Sequence, residues 1–489
     1  MEVQYIVSLF DIEIILITAL GVLAGIAIGI LPGLSATLGV SLLLPVTFGM
    51  DTILGLLLLV GIYFGAIYGG SVTAILLRTP GTPAAAATAI EGYALTQKGY
   101  GLKAMKVATL SSTMGGLISV IILILLAPVL ARVALEFGPP EYFALTFFGL
   151  SIISFLLGRS VIKGLTATFL GLLIASIGMD PIGAFPRFTF GSSNLRSGVE
   201  FISALIGLFA ASQAFHLMEN VSIKNKVLRA MENTRLRWNE IKRILPTIFL
   251  SSGIGTIFGT MPGAGAETAA FIAYNETKRF SKNKEGFGQG RIEGVAAPEA
   301  ANNGTTGGAF IPLLSLGIPG DAVTAIMLGA LIIQGLQPGP LLFQNHPDLV
   351  SVLFLGMLLS YILLFIFAWY GLRLFTKILY VPKNILIPVI LVLSVIGTYA
   401  IGNNFFNVWV MFLFGVLGYV MMKYDFPLPP VVLALILGPI MEENLRRSLV
   451  MTQGSLDFIY TRPITLVLIL IALLTFLTPL ISSFRKKIT

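Results

Sequence analysis

Apolar residues run along this chain in blocks and not in faces. Ile12 to Ile30, Ile53 to Leu77, Val107 to Ala131, Val350 to Leu372 and Ile464 to Ile481 are apolar all round. Each is near the roughly 20 residues a helix needs to cross about 30 Å of hydrocarbon. The blocks lack the alternating polarity of barrel strands of about 10 residues. They predict membrane-crossing helices. No Lys or Arg precedes the first block and no cleavage-like tail follows it, so it is expected to stay in the mature protein.

Four places interrupt this pattern: Leu31-Pro32-Gly33, Thr79-Pro80-Gly81, Met261-Pro262-Gly263 and Ile318-Pro319-Gly320. Proline removes a backbone donor and glycine opens dihedrals closed to other residues, so each doublet should end one helical segment and start another. Backbone exposed in this way is tolerated at membrane depth only when packed in protein or lining a watery cavity. There, freed N–H groups at a half-helix start attract anions and freed carbonyls hold cations. Small polar residues gather at the same places: Ser35 and Thr37, Thr79 and Thr82, Thr268, and the run Asn302-Asn303-Gly304-Thr305-Thr306. Gly and Pro also serve close helix packing in membranes, which explains one doublet but not four at related positions.

The doublets are related. Gly25, Gly29, Pro32 and Gly33 align with Gly255, Gly259, Pro262 and Gly263; Gly65 to Gly69 and Pro80-Gly81 align with Gly304 to Gly308 and Pro319-Gly320. The chain reads as a duplicated unit, residues 1–218 and 244–489, split by a basic linker at 219–243. Equivalent loops differ in charge. The stretch after the second doublet carries Lys98, Lys103 and Lys106, whereas Gln337 to Asp348 has no Lys or Arg. Pro45 to Thr52 has none either, whereas its counterpart carries Lys278, Arg279, Lys282, Lys284 and Arg291. If basic loops face the cytoplasm, the halves have inverted topology. With an outside N-terminus, a cytoplasmic C-terminus and the first doublet of each half in a re-entrant hairpin, only Arg132, Arg187, Arg196, Arg446, Arg447 and Arg462 of the 31 Lys and Arg fall outside.

Composition narrows the chemistry. Of 489 residues, 56% are hydrophobic and 11% charged, with two His and no Cys; mean hydropathy is +0.92. Zinc, haem and disulfides lack ligands. The net charge of +8 fits cytoplasmic loop bias and lipid anchoring, with no nucleic-acid partner. Acids near a break mark function or cap a helix. Glu267 and Glu299 are candidates for ion coupling, or alternatively interfacial caps or partners of Lys278 and Arg279. Asp321 reads as a first-turn helix acid or a third coupling group. Gly286 to Arg291 resembles a phosphate loop only by glycine count and is expected to be a flexible cytoplasmic turn. His216 and His346 are expected at the surface.

Longer motifs are familiar. GILPGLSATLGVSLLLPVTFGMD, YFGAIYGGSVTAILLRTPGTPAAAATAIEGYALTQKG, FGPPEYFAL, GTMPGAGAETAAFIAY, EGVAAPEAANNGTTGGAFIPLLSLGIPG, GLQPGPLLF and LILGPIMEENLRRSL together resemble the large membrane subunit of the tripartite tricarboxylate transporters, over nearly the whole chain. The resemblance implies a bacterial or archaeal secondary carrier for carboxylates, driven by Na⁺ or protons. It also implies a small membrane subunit and an extracytoplasmic binding protein as partners, and a translocation site near Pro32, Pro80, Pro262, Asn302 and Pro319.

The expectation is therefore an all-α polytopic protein of the cytoplasmic membrane, two inverted-topology repeats with broken helices, about 10 to 12 membrane segments in all. A small carboxylate is expected at Gly33, Ser35, Thr37, Thr79, Gly81, Thr82, Gly263, Gly265, Asn302, Asn303, Thr305, Thr306 and Gly320. Pro32, Pro262, Glu267, Glu299 and Asp321 are the ion-coupling set, with a Na⁺ site near Gly263 and Gly320 if Na⁺ and not H⁺ is used; no other cofactor is expected. Alternating access follows, with an elevator slide as the expected motion and homo-oligomerisation left open. The rivals are a membrane enzyme using Glu267 or Glu299 on a lipid-borne substrate, and an ion channel. No nucleophile motif accompanies those acids, so no enzyme is expected.

Overall fold

Each of the long apolar blocks is helical. The computed structural model describes residues 11–31, 33–156, 161–219, 236–375, 377–378 and 383–488; Pro32 and linker residues 220–235 lie outside the described residues. The helices are α1 (Ile12–Ile30), α2 (Ala36–Leu43), α3 (Thr52–Leu77), α4 (Thr88–Gln97), α5 (Gly101–Ala134), α6 (Pro139–Leu156), α7 (Val161–Ala175), α8 (Phe201–Glu219), α9 (Trp238–Thr260), α10 (Gly265–Phe280), α11 (Ile292–Leu316), α12 (Ala322–Ile333), α13 (Pro340–Asn345), α14 (Pro347–Phe375), α15 (Lys383–Gly402), α16 (Phe405–Lys423), α17 (Pro429–Met451), α18 (Phe458–Thr461) and α19 (Pro463–Ile488). Because α9 starts at Trp238, the end of the expected linker is helical. Among the described residues, 8 helices are long and apolar enough to cross a membrane. The protein is an all-α polytopic membrane protein, and the one strand pair among the described residues, Gly178–Met179 with Pro186–Arg187, closes an antiparallel hairpin.

Two helices form the centre. In α11 every residue from Ile292 to Ser315 is buried, and in α3 all but the ends are. A helix polar on one stretch and buried on all sides must find its partners inside the protein. Each central helix receives a broken helix at unusually close range. A Cβ on Gly25 of α1 would stand 2.3 Å from the Ile62 carbonyl oxygen of α3, and one on Gly29 would stand 2.2 Å from that of Ala66. In the second half, a Cβ on Gly255 of α9 would stand 2.1 Å from the Ala301 oxygen of α11, and one on Gly259 would stand 2.4 Å from that of Thr305. Ile62 and Ala66 align with Ala301 and Thr305 in the register of the repeat, so equivalent positions make equivalent contacts. Small residues at a membrane helix interface let backbones touch, and packing then replaces the hydrophobic effect as the cohesive force.

The remaining helices flank this centre. α5 lies along α11, with Gly115 against Ala300 and Gly307 against Ser119. The rings of Tyr63, Phe64, Phe310 and Tyr361 join α3, α11 and α14, with Phe64 stacked on Tyr361 at 4.5 Å. α6 and α7 pack on α17, and α8 packs on α16.

A leucine at Gly259 must push α9 off α11, because the obstacle is backbone. We expect Gly259→Leu to destabilise the protein by about 1–3 kcal/mol or more, read as a lower melting temperature in detergent. Gly253→Leu on the same helix meets nothing within 4 Å and should leave the melt unchanged.

Candidate functional site

The breaks fall between helices, and each supplies its own backbone partners. α1 ends at Leu31 in an extended conformation, Gly33 takes φ +92°, and Ser35 caps α2 by accepting from Leu38 N–H at 3.2 Å. α3 ends at Arg78 in the left-handed region; beyond it Gly81 N–H donates to the Gly70 carbonyl at 3.2 Å. α9 ends before Met261, and Gly263 N–H donates across to the Gly320 carbonyl at 2.9 Å, so the third and fourth breaks are bonded to each other. Gly320 needs its lack of a side chain: a Cβ would stand 2.4 Å from the Gly259 oxygen, as one on Gly81 would stand 2.1 Å from that of Gly29. Asp321 is the N-cap of α12 and not a first-turn acid. It accepts from Thr324 N–H at 2.7 Å, and its own N–H donates to Thr324 Oγ1 at 2.9 Å. Its second oxygen accepts from Tyr63 Oη at 2.5 Å, across the halves.

Glu299 sits one helical turn before Asn302-Asn303 and is wholly buried. Thr88 Oγ1 donates to it at 2.5 Å, Ser112 Oγ at 2.8 Å and Asn302 Nδ2 at 3.4 Å. Its partners come from α4, α5 and α11 and none is charged. Asn302 Nδ2 also reaches the Ala84 carbonyl at 3.4 Å. Asn303 Nδ2 donates to Asn302 Oδ1 at 2.7 Å and to the Glu299 carbonyl at 3.2 Å. Tyr361 Oη closes the cluster on the Asn303 carbonyl at 3.2 Å and Thr306 Oγ1 at 2.7 Å. Three buried side-chain oxygens here, Thr82 Oγ1, Ser111 Oγ and Asn303 Oδ1, have no hydrogen-bond partner in the structure. An orphaned buried polar atom costs about 1–3 kcal/mol, so each of these has room for a further donor from a water, an ion's hydration shell or a ligand.

The expected residues divide. Thr82, Asn302, Asn303, Thr305, Thr306 and Glu299 are buried in the middle of the protein. The Asn302 to Thr306 run is mid-helix in α11, so it offers side chains only and no freed backbone. Gly81, Pro262, Gly263 and Gly320 are buried at the breaks, Gly265 and Asp321 are half-buried, while Gly33, Thr79 and Glu267 are exposed and Ser35 and Thr37 half-buried. Glu267 occupies the first turn of α10, where a carboxylate favours the helix dipole. A cavity of about 900 Å³ reaches the fourth break; Leu316, Gly317 and Ile318 line it opposite Glu200, Asn444 and Arg447. The expected site residues lie outside its lining.

Several residues were not legible. Tyr63 and Thr88 lie inside a quoted motif that does not single them out, Ser112 and Tyr361 lie in none, and only the fold brings the four to Asp321, Glu299 and Asn303. Glu141 is buried, accepting from Gly138 N–H at 2.9 Å and pairing with Arg462 at 3.1 Å. Asp180 accepts from Gly183 N–H at 2.5 Å and Ile182 N–H at 3.0 Å and pairs with Arg446 at 2.7 Å. Gly183 N–H above all, with Ile182, Arg446 and Arg187, holds the Asp180 carboxyl below the usual range against the opposing effect of burial. A carboxylate spaced two or three residues from Gly in an extramembrane loop is the only local signal for it.

Broken helices paired by glycines, with a buried carboxylate at their crossing, make this a membrane protein of transporter architecture. The comparison with known proteins names the group: residues 15–433 match the Tripartite tricarboxylate transporter TctA family, and the chain belongs to it. It is 38% identical to the "Uncharacterized 52.8 kDa protein in TAR-I ttuC' 3'region" of Agrobacterium vitis over 467 residues, 96% of this chain and 93% of that protein. It is 39% identical to the "Uncharacterized protein in TAR-II ttuC' 3'region" of the same organism over 233 residues, 48% of this chain and 96% of that protein. No solved structure matches.

Tyr63→Phe keeps the ring contacts and removes one donor to Asp321. We expect a loss of about 1.5–3 kcal/mol, seen as a lower melting temperature, and no further loss when Asp321→Asn is added, because both remove one bond. A depressed carboxyl stabilises the fold above its unfolded pKa, and that contribution is lost as pH falls through the folded value. The 178–198 hairpin should therefore resist pepsin at a pH near 4, the ordinary carboxylate range, and open only at lower pH. Asp180→Asn should open it at every pH tested.

Proposed function

We propose that the protein is a secondary active carrier that takes up a small di- or tricarboxylate across the cytoplasmic membrane, coupled to Na⁺ or H⁺. The observation that carries this reading is Glu299: a carboxylate with no exposure, hydrogen-bonded by neutral groups from three helices of both halves. An isolated buried charge is costly. A carboxylate built into the centre without a basic partner is therefore suited to take up a proton or a cation at one stage of a cycle and release it at another.

In this carrier, the two halves are related by an axis in the membrane plane, and α1, α3–α5 and α9–α11 move as a bundle against α6–α8 and α15–α19. The bundle meets the scaffold through α2 and α12, which pack on α8, α15 and α17, and an elevator slide is the proposed motion. An anionic substrate enters through the cavity beside Arg447 and Asn444, reaches the fourth break at Gly317 and Ile318, and is met by Thr82, Asn303 and the half-helix N-termini. A Na⁺ ion, if used, sits near Gly263 and Gly320, whose carbonyl keeps a lone pair beyond its bond to Gly263. The ion pairs agree with the grouping of loops into two faces: Arg187–Glu442, Arg446–Asp180, Arg447–Glu443 and Arg462–Glu141 join residues assigned to one face, Lys103–Glu240, Arg243–Glu293 and Lys423–Glu219 residues assigned to the other. As a member of a tripartite system, the protein works with a small membrane subunit and an extracytoplasmic binding protein that delivers the carboxylate.

Proteoliposomes holding the protein together with its small membrane subunit, loaded with buffer and given the binding protein and radiolabelled di- and tricarboxylates, test this. Wild-type protein should accumulate substrate under a Na⁺ gradient or a pH gradient, and the effective gradient names the ion. Glu299→Gln imitates the neutral carboxyl and should lose gradient-driven accumulation at least tenfold while keeping substrate exchange. Wild-type protein that accumulates nothing under either gradient refutes the carrier; full accumulation by the glutamine variant removes Glu299 from coupling.

A further inference from the structure

The loop between α10 and α11 is not a loose turn. Gly288 N–H donates to the Glu91 carboxylate, as do Gly290 N–H at 2.6 Å and Arg291 N–H at 2.8 Å, and Tyr274 Oη adds a fourth bond at 2.9 Å. Gly288 and Gly290 take φ of +88° and +98°, which turns the amides of the segment toward one point. Successive amides aimed in this way form a nest for an anion. Arg291 is also the N-cap of α11, so the nest lies at the positive end of the long central helix. Glu91 is wholly buried. The Arg291 side chain does not neutralise it but pairs with Glu293 at 3.3 Å. Gly294 completes the fit, since a Cβ there would stand 2.5 Å from Glu91 Cγ. The glycines that resemble a phosphate loop thus do bind an anion, and it is this chain's own.

The occupant has a second consequence. Thr88 and Glu91 are one turn apart on α4, and Thr88 donates to Glu299, two turns along α11 from the nest. α4 is therefore fixed to α11 at two points, one of them the buried carboxylate of the candidate ion site.

We propose that the segment Gly286 to Arg291 is a receptor for a carboxylate group, that Glu91 is its resident ligand, and that filling it positions Thr88 on Glu299. Glu91 is a positioning residue. The first two parts stand on geometry alone; the third rests on the carrier reading.

Full-length Glu91→Ala protein in detergent, with formate as the probe, tests the receptor. The emptied nest lies next to the exposed residues Gly288 and Gln289, so formate can reach it. We expect the melting temperature to fall by roughly 5 °C, and to return saturably with formate but not with chloride at equal ionic strength; wild-type protein should not respond. Glu91→Gln, near in shape and able to fold, should also melt lower and ignore formate, because its amide fills the nest. A glutamine variant as stable as wild type, or an alanine variant restored equally by chloride, overturns the receptor. Formate on both sides of the membrane should restore gradient-driven uptake by Glu91→Ala, but not by the Glu91→Ala/Thr88→Ala variant, whose melting temperature it still restores. Equal recovery of uptake in both, or in neither, overturns the positioning role. Wild-type protein with no uptake under any gradient would instead refute the carrier reading, and the melting experiment would still decide the receptor.

Discussion

A chain that breaks its helices inside hydrocarbon depends on another backbone lying against each break. Peptide groups freed by a proline cannot turn to water there, and each one left unpaired costs several kcal/mol. Here the solution is contact without side chains. Gly25 and Gly29 bring α1 onto α3, Gly255 and Gly259 bring α9 onto α11, and the glycine of each second break, Gly81 or Gly320, then fits against the carbonyl of Gly29 or Gly259. The bond from Gly263 to Gly320 exists only because three backbones meet at that spacing. The irregular segments, the burial of α3 and α11 and the gathering of polar side chains all follow from it.

Within that frame the buried acids sort by the kind of partner they have. Glu91 is held by backbone amides and the Tyr274 hydroxyl, Asp180 by amides and arginines, and Glu141 by an amide, Arg462 and the Thr465 hydroxyl. Each of these three therefore has main-chain N–H or guanidinium groups, which only donate, among its partners. Glu299 is different. Two of its partners, Thr88 and Ser112, are hydroxyls, which donate to a carboxylate or accept from a carboxylic acid by rotating about one bond. On the carrier reading, partners of this kind suit a site that loses and regains a charge. Asp321 also takes hydroxyl partners, Tyr63 and Thr324, but it is bound to its own helix as a cap.

Much of the frame was legible. Hydrophobic blocks gave the helices, and Pro-Gly doublets gave their interruptions because the dihedral and donor effects of those residues are local. Repeated glycine spacing pointed to equivalent packing because backbone contact leaves few substitutes. What escaped the sequence is contact between distant segments. Asn302 to Thr306 was read as polar residues gathered near the fourth break, and the fold places the run mid-helix, where it offers side chains alone. Gly286 to Arg291 was read as flexible for its glycines, but Glu91, about two hundred residues earlier, fixes it. Tyr63 and Thr88 sit in runs with no polar pattern to mark them. Side chains that act by meeting a partner across the protein leave no periodic trace.

The halves also depart from one another at equivalent positions, and the departures fall at the centre. In the register of the repeat Tyr63 matches Asn302 and Thr82 matches Asp321. Tyr63 crosses to Asp321 through a short hydroxyl–carboxylate bond, while Asn302 crosses only to the Ala84 carbonyl, at 3.4 Å, and the Thr82 hydroxyl is left without a partner. One crossing is therefore strong and closed, and the other weak and open. Crossings of unequal strength at aligned positions make the two halves unequal at the centre, and a ligand that satisfies Thr82 and Asn302 would reduce that difference. On the carrier reading, that is how substrate and ion make the passage between two arrangements less uphill: they supply, on the open side, what Asp321 already supplies on the closed one.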